Sequence, residues 1–272
     1  MAVSFSLAHF TAIECSPPEL VRIAARAGYD FVSFRLLHVT EQEPKYPLGQ
    51  DRRMLKETKA AMEGAGLKLL DIELVKLAED IDVKQYVPAL EAAAELGGRH
   101  VLAAGFTKDR HVLVERFAEV CELAKPYRLT VDLEFITWNG VGTFREAKAV
   151  VEAAGCDNGG ILIDTLHFDR SRTSLDELND VPQEWFHYVH LCDAPKEIPD
   201  TVEGLIRTAR SERLYPGEGG IDLAAILNRL PKVPCSLEIP HSRRTRELGS
   251  AEHARRCLEH AKKYVELHVK KD

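Results

Sequence analysis

Four side chains able to bind a metal ion stand at or near the ends of four short apolar runs. The runs span residues 129–134, 161–164, 186–191 and 235–238, and the side chains are Glu134, Asp164, His190 and Glu238. An ionised side chain at the end of a buried strand costs free energy unless something compensates its charge. If the runs are neighbouring strands of one parallel barrel, the four side chains converge at one mouth. Three carboxylates and one imidazole meeting there predict a site for a divalent cation.

The chemistry of these four residues, called the quartet below, predicts the metal and its use. A hard, mostly oxygen site favours one Mn²⁺ or Mg²⁺ ion, with Co²⁺ and Zn²⁺ as further candidates. Such an ion could hold two vicinal oxygens of a substrate and stabilise an enediolate by Lewis acidity. Glu134 and Glu238, from opposite sides of the mouth, would then serve as a pair of proton-transfer bases.

Strand-like and helix-like segments alternate along the whole chain. The predicted strands span residues 3–8, 31–36, 67–74, 100–104, 129–134, 160–164, 185–191 and 233–238. The predicted helices span residues 17–27, 51–65, 83–96, 110–125, 143–154, 174–178, 222–230 and 251–269. A strand, a helix and a helix-ending glycine recur about every 30 residues, the length of a βαβ unit.

Eight such units predict an α/β fold, a (β/α)₈ TIM barrel. The strand runs are nearly all apolar, as expected where both faces of a sheet are buried. A doubly wound open sheet is the main rival, because periodicity alone does not reveal closure. It is disfavoured because no GxGxxG follows the first strand and because polar residues end most strands. Without a linker or low-complexity segment, residues 1–272 are predicted to form one domain.

Composition excludes several classes of function. The chain has 272 residues, 45% of them hydrophobic, and a net charge of −7 without a dominant Lys/Arg stripe, which argues against a nucleic-acid partner. No signal peptide begins the sequence, and no apolar run approaches the roughly 20 residues of a membrane span. The six cysteines lack CxxC spacing and are interpreted as reduced thiols of a cytoplasmic protein. The expected partner is a small carbohydrate-like molecule, and a homo-oligomer is left open.

Further polar and aromatic residues follow the predicted strands. Arg35 follows strand 2, Glu73 lies in strand 3, and Trp138 follows strand 5, where it is expected to form a wall that stacks on a sugar face. The loop of residues 193–220 is long and rich in charge, Pro and Gly, as lids and binding loops often are. A single strand-end carboxylate is more often a helix cap or an ion-pair partner. The joint pattern over four consecutive strands favours a metal site.

At this point the residues resemble a known family. Glu134, the stretches 164–167 (DTLH) and 190–193 (HLCD), and Glu238 resemble the signature of the xylose-isomerase-like barrel superfamily, the sugar phosphate isomerase/epimerase type. Residues 213–222 (RLYPGEGGID) are similar to the family's R-x-x-P-G-x-G-x-I-D segment. The superfamily includes ketose 3-epimerases, inosose isomerases and dehydratases, hydroxypyruvate isomerase and 3-dehydroshikimate dehydratase. The resemblance is specific for fold and metal site and weak for substrate.

The resemblance also implies roles for individual residues. The quartet would bind one divalent metal, often Mn²⁺, and its two glutamates would shuttle the proton. His167 would bind a substrate oxygen, and Arg213 would steady the substrate or a carboxylate on the metal side. Glu73 has no certain counterpart in the epimerase pattern. It is either a substrate contact of a subgroup or an ion-pair partner of Arg35.

Several functions remain in competition after the sequence analysis. The favoured one is metal-dependent isomerisation or epimerisation of a small sugar or polyhydroxy ketone through a metal-stabilised enediolate. The alternative is a dehydratase acting on a compound such as 3-dehydroshikimate or an inosose. Both begin with the same proton abstraction, so the quartet does not separate them. An abasic-site endonuclease would need more histidine ligands and a basic groove, and a barrel that binds sugar without turnover is disfavoured by the intact ligands.

Overall fold

Eight parallel strands close into a barrel in this computed structural model, which describes residues 3–270. The strands are β1 (Phe5–Leu7), β2 (Phe31–Arg35), β3 (Lys68–Leu77), β4 (His100–Gly105), β5 (Thr130–Glu134), β6 (Gly159–Asp164), β7 (Val189–Leu191) and β8 (Cys235–Leu237). Each strand pairs with its neighbour in sequence, and β1 pairs with β8 in the register Phe5 to Cys235 and Leu7 to Leu237. The first-to-last pairing confirms the (β/α)₈ barrel and excludes the open sheet.

Helices follow the strands around the outside of the barrel. They are α1 (Pro17–Ala27), α2 (Arg52–Ala65), α3 (Val87–Glu95), α4 (Arg110–Ala124), α5 (Phe144–Ala154), α6 (Thr165–Arg170), α7 (Val202–Ser211), α8 (Leu223–Leu227), α9 (Ser242–Leu248) and α10 (Ser250–His268). Sequence signals set several of their ends. Ser16 and Thr143 each form a capping box, with Glu19 and Glu146 respectively. Gly28 ends α1 with a φ of 87°, a conformation that glycine adopts without strain.

The strands divide the buried residues into an outer and an inner group. The outer group fills the space between strands and helices, whereas a smaller group, including Leu102, Leu162 and Tyr188, fills the inside of the barrel. A polar layer lies beside this inner group: Ser33 Oγ is 2.9 Å from Ser6 Oγ and donates a hydrogen bond to Asp71. The inside of the barrel is therefore a packed core with polar groups in defined positions, as in other barrels of this size.

Three differences from the predicted elements bear on the site. β3 runs to Leu77 instead of ending at Leu74, so Glu73 lies within the strand. The short helix α6 begins directly after Asp164, and the predicted stretch 174–178 is instead part of a 3₁₀ turn at Leu175–Asp180. Six residues are too few to display a helical period, which explains why α6 was not predicted.

The loop predicted over residues 193–220 contains a helix. α7 begins after Thr201, whose side chain accepts a hydrogen bond from Gly204 N, and it places buried Ala209 next to the mouth of the barrel. Proline and charged residues before the helix, and Pro216-Gly217 after it, concealed it in the sequence. α9 has only seven residues, and like α6 it is too short to display a helical period in the sequence.

No helix within residues 3–270 is both long enough and apolar enough to cross a membrane.

Alanine substitutions at two glycines test how closely a loop packs on the barrel. A Cβ at Gly140, in the loop after β5, would overlap the carbonyl oxygen of Thr107, whereas one at Gly64 in α2 meets no atom within 4 Å. We expect Gly140→Ala to lower the free energy of unfolding by about 1–3 kcal/mol because of overpacking. Gly64→Ala, the matched control, is expected to raise it by up to about 1 kcal/mol. Urea denaturation measures both, and equal effects would contradict the close packing at Gly140.

Candidate metal centre

The structure brings the quartet together at the carboxyl ends of the last four strands. Glu134 ends β5, Asp164 ends β6, His190 lies in β7, and Glu238 directly follows β8. One ligand atom of each lies within 4.8 Å of the others, and all four residues are buried. His190 Nδ1 is 3.5 Å from Glu238 Oε2, 3.8 Å from Glu134 Oε1 and 4.0 Å from Asp164 Oδ2. The imidazole thus faces three carboxylates in one water-poor cleft.

Unsatisfied polar atoms at the quartet leave ligand atoms available for a cation. Among the described residues, both ring nitrogens of His190 and Oε1 of Glu134 are buried without a hydrogen-bond partner. Buried polar atoms are nearly always hydrogen-bonded, so the orphaned Nδ1 of His190 and Oε1 of Glu134, which lie 3.8 Å apart, require an explanation. Carboxylate oxygens and a neutral imidazole are ligands for divalent cations of the Mg²⁺, Mn²⁺ and Zn²⁺ type. The donor set and its orphaned atoms therefore fit one divalent ion.

Arg213 holds two of the carboxylates in place. Its Nη1 donates to Asp164 Oδ2 at 2.6 Å, and its Nη2 lies 2.9 Å from Glu238 Oε2. Its Nε donates to the carbonyl oxygen of Ala209 at 2.8 Å, and the side chain is almost completely buried. A planar guanidinium tied at three points has little freedom to move, so it orients Asp164 and Glu238 as well as offsetting their charge.

The surroundings of Glu134 and Glu238 shift the pKa values of these two residues in opposite directions. Burial raises the pKa of Glu134 well above its usual range, and the charge of His190 only partly offsets this effect. Burial acts on the pKa of Glu238 in the same direction, but Arg213 and His190 reverse the effect and bring that pKa below its usual range. Two carboxyl groups of one site are thus tuned in opposite directions, a pattern typical of acid and base pairs.

Arg35 approaches the quartet from β2. Its Nη2 is 3.0 Å from Glu73 Oε2 and 3.6 Å from Glu238 Oε1, and its guanidinium lies 4.5 Å from the centre of the Phe10 ring. Arg35 lines the cavity over the quartet, but Glu73 is fully buried beneath it and does not. The position of Glu73 favours the ion-pair alternative over a substrate contact.

The cavity over the quartet is lined by polar and by apolar side chains. Glu134, His167, Arg213 and Glu238 supply polar atoms, and Trp138 forms part of the apolar wall. The remaining lining residues come from β2, β3, several strand-end loops and α7: Phe10, Arg35, Val39, Leu74, Phe106, Ile136, Asn139, Ala209 and Arg210. Such a cavity suits a small molecule that carries both polar and apolar groups.

His167 and Trp138 stand together at one edge of this cavity. His167 Nδ1 is 3.1 Å from Thr137 Oγ1, and the Trp138 ring meets the imidazole edge-on at 5.1 Å. Burial lowers the pKa of His167 to about 4, so its imidazole is neutral at pH 7. With Nδ1 engaged by Thr137, Nε2 is the ring nitrogen left for a ligand.

Asp193 has a role that the sequence analysis did not identify. Its carboxylate accepts hydrogen bonds from the backbone N–H groups of Gly217 (3.0 Å), Gly219 (2.9 Å) and Ile221 (3.2 Å). A Cβ at Gly219 would overlap this carboxylate. The backbone also pairs Asp193 with Leu214, the residue next to Arg213. Residues 216–220 (PGEGG) therefore wrap around Asp193 and fix the position of Arg213.

The sequence pattern does not indicate Glu43 as a site residue, because the loop that contains it has no periodic pattern. Its carboxylate accepts from Val39 N at 2.9 Å and lies between Arg35 (3.9 Å) and Arg210 (3.7 Å) at the entrance of the cavity. The segment between β2 and α2 is thereby connected to α7 across the mouth.

Removing the Asp193 carboxylate tests its structural role. Asp193→Ala leaves four backbone N–H groups, those of Ala194, Gly217, Gly219 and Ile221, without their acceptor, and we expect a loss of about 3 kcal/mol or more in the free energy of unfolding. Asp222 caps α8 by accepting one N–H, from Ala225 at 3.0 Å, and Asp222→Ala is expected to cost about 1 kcal/mol. Urea denaturation measures both losses, and similar values would contradict the central position of Asp193.

Comparison with known proteins identifies two similar enzymes. An inosose isomerase of Bacillus velezensis is 27% identical over 161 residues, which are 56% of this chain and 55% of that protein. The chain thus spans about half the length of this relative. A 3-dehydroshikimate dehydratase of Pseudomonas putida is 25% identical over 244 residues, which are 82% of this chain and 36% of that protein.

Comparison of folds and of family patterns gives a consistent result. The crystal structure of the IOLI protein with a zinc atom bound matches with a TM-score of 0.83 and 20% identity, over 99% of this chain and 100% of that chain. At this identity the likeness shows the fold. The pattern of the xylose isomerase-like TIM barrel family matches residues 21–263, most of the sequence. The chain belongs to the xylose isomerase-like TIM barrel family.

Proposed function

We propose that the chain is a divalent-metal-dependent isomerase or epimerase of a small sugar or polyhydroxy ketone. The observation that carries the proposal is the quartet itself: Glu134 and Glu238 border the cavity while sharing a candidate metal centre with Asp164 and His190. The similarity to an inosose isomerase supports a polyhydroxy ketone as the substrate class.

The proposed cofactor is one divalent ion held by the four side chains of the quartet. Mn²⁺ is our first choice for a site of three carboxylates and one imidazole. The zinc atom in the IOLI protein keeps Zn²⁺ as a candidate, together with Mg²⁺ and Co²⁺. When bound, the ion supplies positive charge that stabilises an enediolate and the oxygens beside it.

In this proposal the two glutamates transfer the proton. They extend from β5 and from the end of β8, so a substrate carbon between them is accessible from both sides. The asymmetric surroundings of the pair support a division of labour. Arg213 and Arg35 both lie within 4 Å of Glu238 and favour its ionised form as a base, whereas neither arginine forms such an ion pair with Glu134 among the described residues.

The other cavity residues would bind and orient the substrate. His167 would contact a substrate oxygen through Nε2, and Trp138 would cover an apolar face of the sugar. Arg213 would act through Asp164 and Glu238, which it holds, and Arg35 would border the far side of the substrate. Glu73 would then act only by fixing Arg35.

Dehydration is the second candidate function. It is favoured by the similarity to a 3-dehydroshikimate dehydratase, which extends over 82% of this chain. One glutamate would remove the proton alpha to a carbonyl, and a beta-hydroxyl would leave as water. The first step is the same as in isomerisation, so the fate of that hydroxyl separates the two functions.

We propose a cytoplasmic protein with a small-molecule partner. This location rests on the six free cysteines within the described residues.

Incubation in D₂O distinguishes the two functions. We expect the chain, supplied with Mn²⁺ and an inosose or ketose, to yield an isomer that carries solvent deuterium at the carbon between the glutamates. Mass spectrometry detects this product. A product lighter by one water identifies the dehydratase instead, and unlabelled substrate across a panel of sugars, inososes and dehydroshikimate would contradict both.

Amide substitutions test the proton-transfer role. Glu134→Gln and Glu238→Gln remove a base while retaining an oxygen ligand, so we expect turnover to fall by about 10²–10⁴-fold. Metal content, measured on the same samples, separates loss of the base from loss of the ion. Glu247→Gln, at an exposed position on α9, is the control and should leave turnover unchanged. Unchanged turnover in both site variants with metal bound would refute the proposal.

A further inference from the structure

The backbone at Glu238 is held differently from the backbone at Glu134. β8 is in register with β1 and with β7 as far as Leu237, one residue before Glu238. Glu134 lies inside the ladder, where it is in register with Ala104 of β4 and with Leu162 of β6. Strand pairing therefore sets the backbone at Glu134, whereas the backbone groups around Glu238 must find other partners.

The hydroxyl of Thr11 bridges the two residues on either side of Glu238. Thr11 is buried in the 3₁₀ turn His9–Ala12, which follows β1. Its Oγ1 donates to the carbonyl oxygen of Leu237 at 2.7 Å and accepts from the backbone N–H of Ile239 at 2.8 Å. A hydroxyl has one proton and two lone pairs, so both bonds form at the same time. One side chain thus replaces the ladder at this point.

His253 of α10 holds the residue after Glu238 as well. Its Nε2 lies 2.8 Å from the carbonyl oxygen of Ile239, and its Nδ1 lies 2.9 Å from Tyr215 Oη. Burial lowers the pKa of His253 to about 4, so its imidazole is neutral at pH 7. Because a carbonyl oxygen only accepts, Nε2 carries the proton and Nδ1 accepts from Tyr215. His253 thereby ties the backbone beside Glu238 to the segment that carries Arg213.

The side chain of Glu238 faces three partners whose distances depend on this backbone. Its Oε2 is 2.9 Å from Arg213 Nη2 and 3.5 Å from His190 Nδ1, and its Oε1 is 3.6 Å from Arg35 Nη2. Arg213 Nη1 also donates to the carbonyl oxygen of Glu238 at 3.2 Å. A shift of the backbone at Glu238 would therefore move the carboxylate relative to all three side chains, and a misplacement of about 1 Å in a reacting group can cost about 10²-fold in rate.

From this arrangement we propose that Thr11, supported by His253, is a positioning residue for Glu238. It sets where the carboxylate stands in the candidate metal centre and beside the substrate. Thr11 lies outside the lining of the cavity over the quartet, so it acts through the backbone of residues 237–239 and touches neither ion nor substrate. The inference rests on the proposed function for the role of Glu238 as ligand and base, whereas the placement of the carboxylate does not depend on turnover.

Metal binding by threonine variants tests the proposal. Thr11→Val keeps the branched shape and removes the hydroxyl, so we expect the affinity of the metal-free chain for Mn²⁺, measured by calorimetry, to fall about 10–100-fold. Thr11→Ser keeps the hydroxyl and should bind Mn²⁺ as the wild type does. Thr58→Val is the matched control, because Thr58 is fully buried in α2 and donates to the carbonyl oxygen of Met54 at 2.7 Å. Its affinity for Mn²⁺ should be unchanged.

Kinetics separate positioning from a general loss of stability. With saturating Mn²⁺, Thr11→Val should lower kcat about 10²-fold while KM stays close to that of the wild type, because the side chains that would bind substrate are unchanged. Thr58→Val also loses the hydrogen bond of a buried hydroxyl, but its kcat and KM should both match those of the wild type. Thr11→Ser should restore kcat.

Crystal structures of the variants give a readout that needs neither metal nor substrate. In Thr11→Val we expect the Glu238 carboxylate to move, so that the contact of 2.9 Å between its Oε2 and Arg213 Nη2 lengthens, whereas Thr58→Val should preserve that contact. The proposal is overturned if Glu238 keeps its position in Thr11→Val, and equally if the affinity for Mn²⁺ is unchanged.

Two further results are distinguishable from these. If Thr11→Val does not fold, His253→Phe, which removes the bond to the Ile239 carbonyl oxygen, decides by the same two measurements. A wild-type chain that binds no divalent ion would contradict the proposed function, and the position of Glu238 in the variants would still support or overturn the role of Thr11.

Discussion

Concentrated negative charge in a water-poor cleft is the constraint on which the mouth of this barrel depends. Closure of β1 onto β8 forces the ends of β5 to β8 together, and with them three carboxylates. Such a cluster is tolerable only with positive charge beside it. Arg213 supplies it on one side and Arg35 on another, and the orphaned atoms of His190 and Glu134 mark where a cation fits.

Compensation of this charge determines the structure of the segment after β7. Arg213 must enter the barrel mouth from outside the sheet, so its backbone needs firm support. Asp193 provides this support by accepting hydrogen bonds from the backbone N–H groups of Gly217, Gly219 and Ile221, and the pairing of Asp193 with Leu214 aligns the neighbouring guanidinium. Residues 213–222 look like a loop in the sequence, but in the structure they hold the side chain of Arg213 in position.

Sequence patterns sufficed for the barrel and for the positions of the quartet, because both depend on regular features. Apolar strand runs end in polar residues, and barrel topology places those ends together. The end of β3 was predicted three residues too early because Lys76 interrupts the apolar pattern, although the strand continues to Leu77. The aliphatic part of the Lys76 side chain stays half-buried, while its ammonium group donates to the carbonyl oxygen of Val39.

Other features escaped prediction because they depend on tertiary contacts. α6 and α9 are too short for periodicity, and α7 lies between proline-containing segments. The contact of Glu43 with Arg35 and Arg210 exists only once the β2–α2 segment folds over the mouth.

The β7–α8 crossover contacts the quartet directly, whereas the β2–α2 segment reaches it only through Arg35. This difference affects how substrate preference could diverge within this fold. An insertion near Arg213 would displace the guanidinium that holds Asp164 and Glu238, so the β7–α8 crossover is constrained in length. The β2–α2 segment lines the same cavity through Val39 but contacts no member of the quartet except through Arg35. Substitution at Val39 therefore offers evolution and protein engineering a way to change specificity that leaves the quartet and Arg213 in place, whereas the length of the segment is held by Leu48, which is buried in the core, and by Gly49, which packs against Pro88.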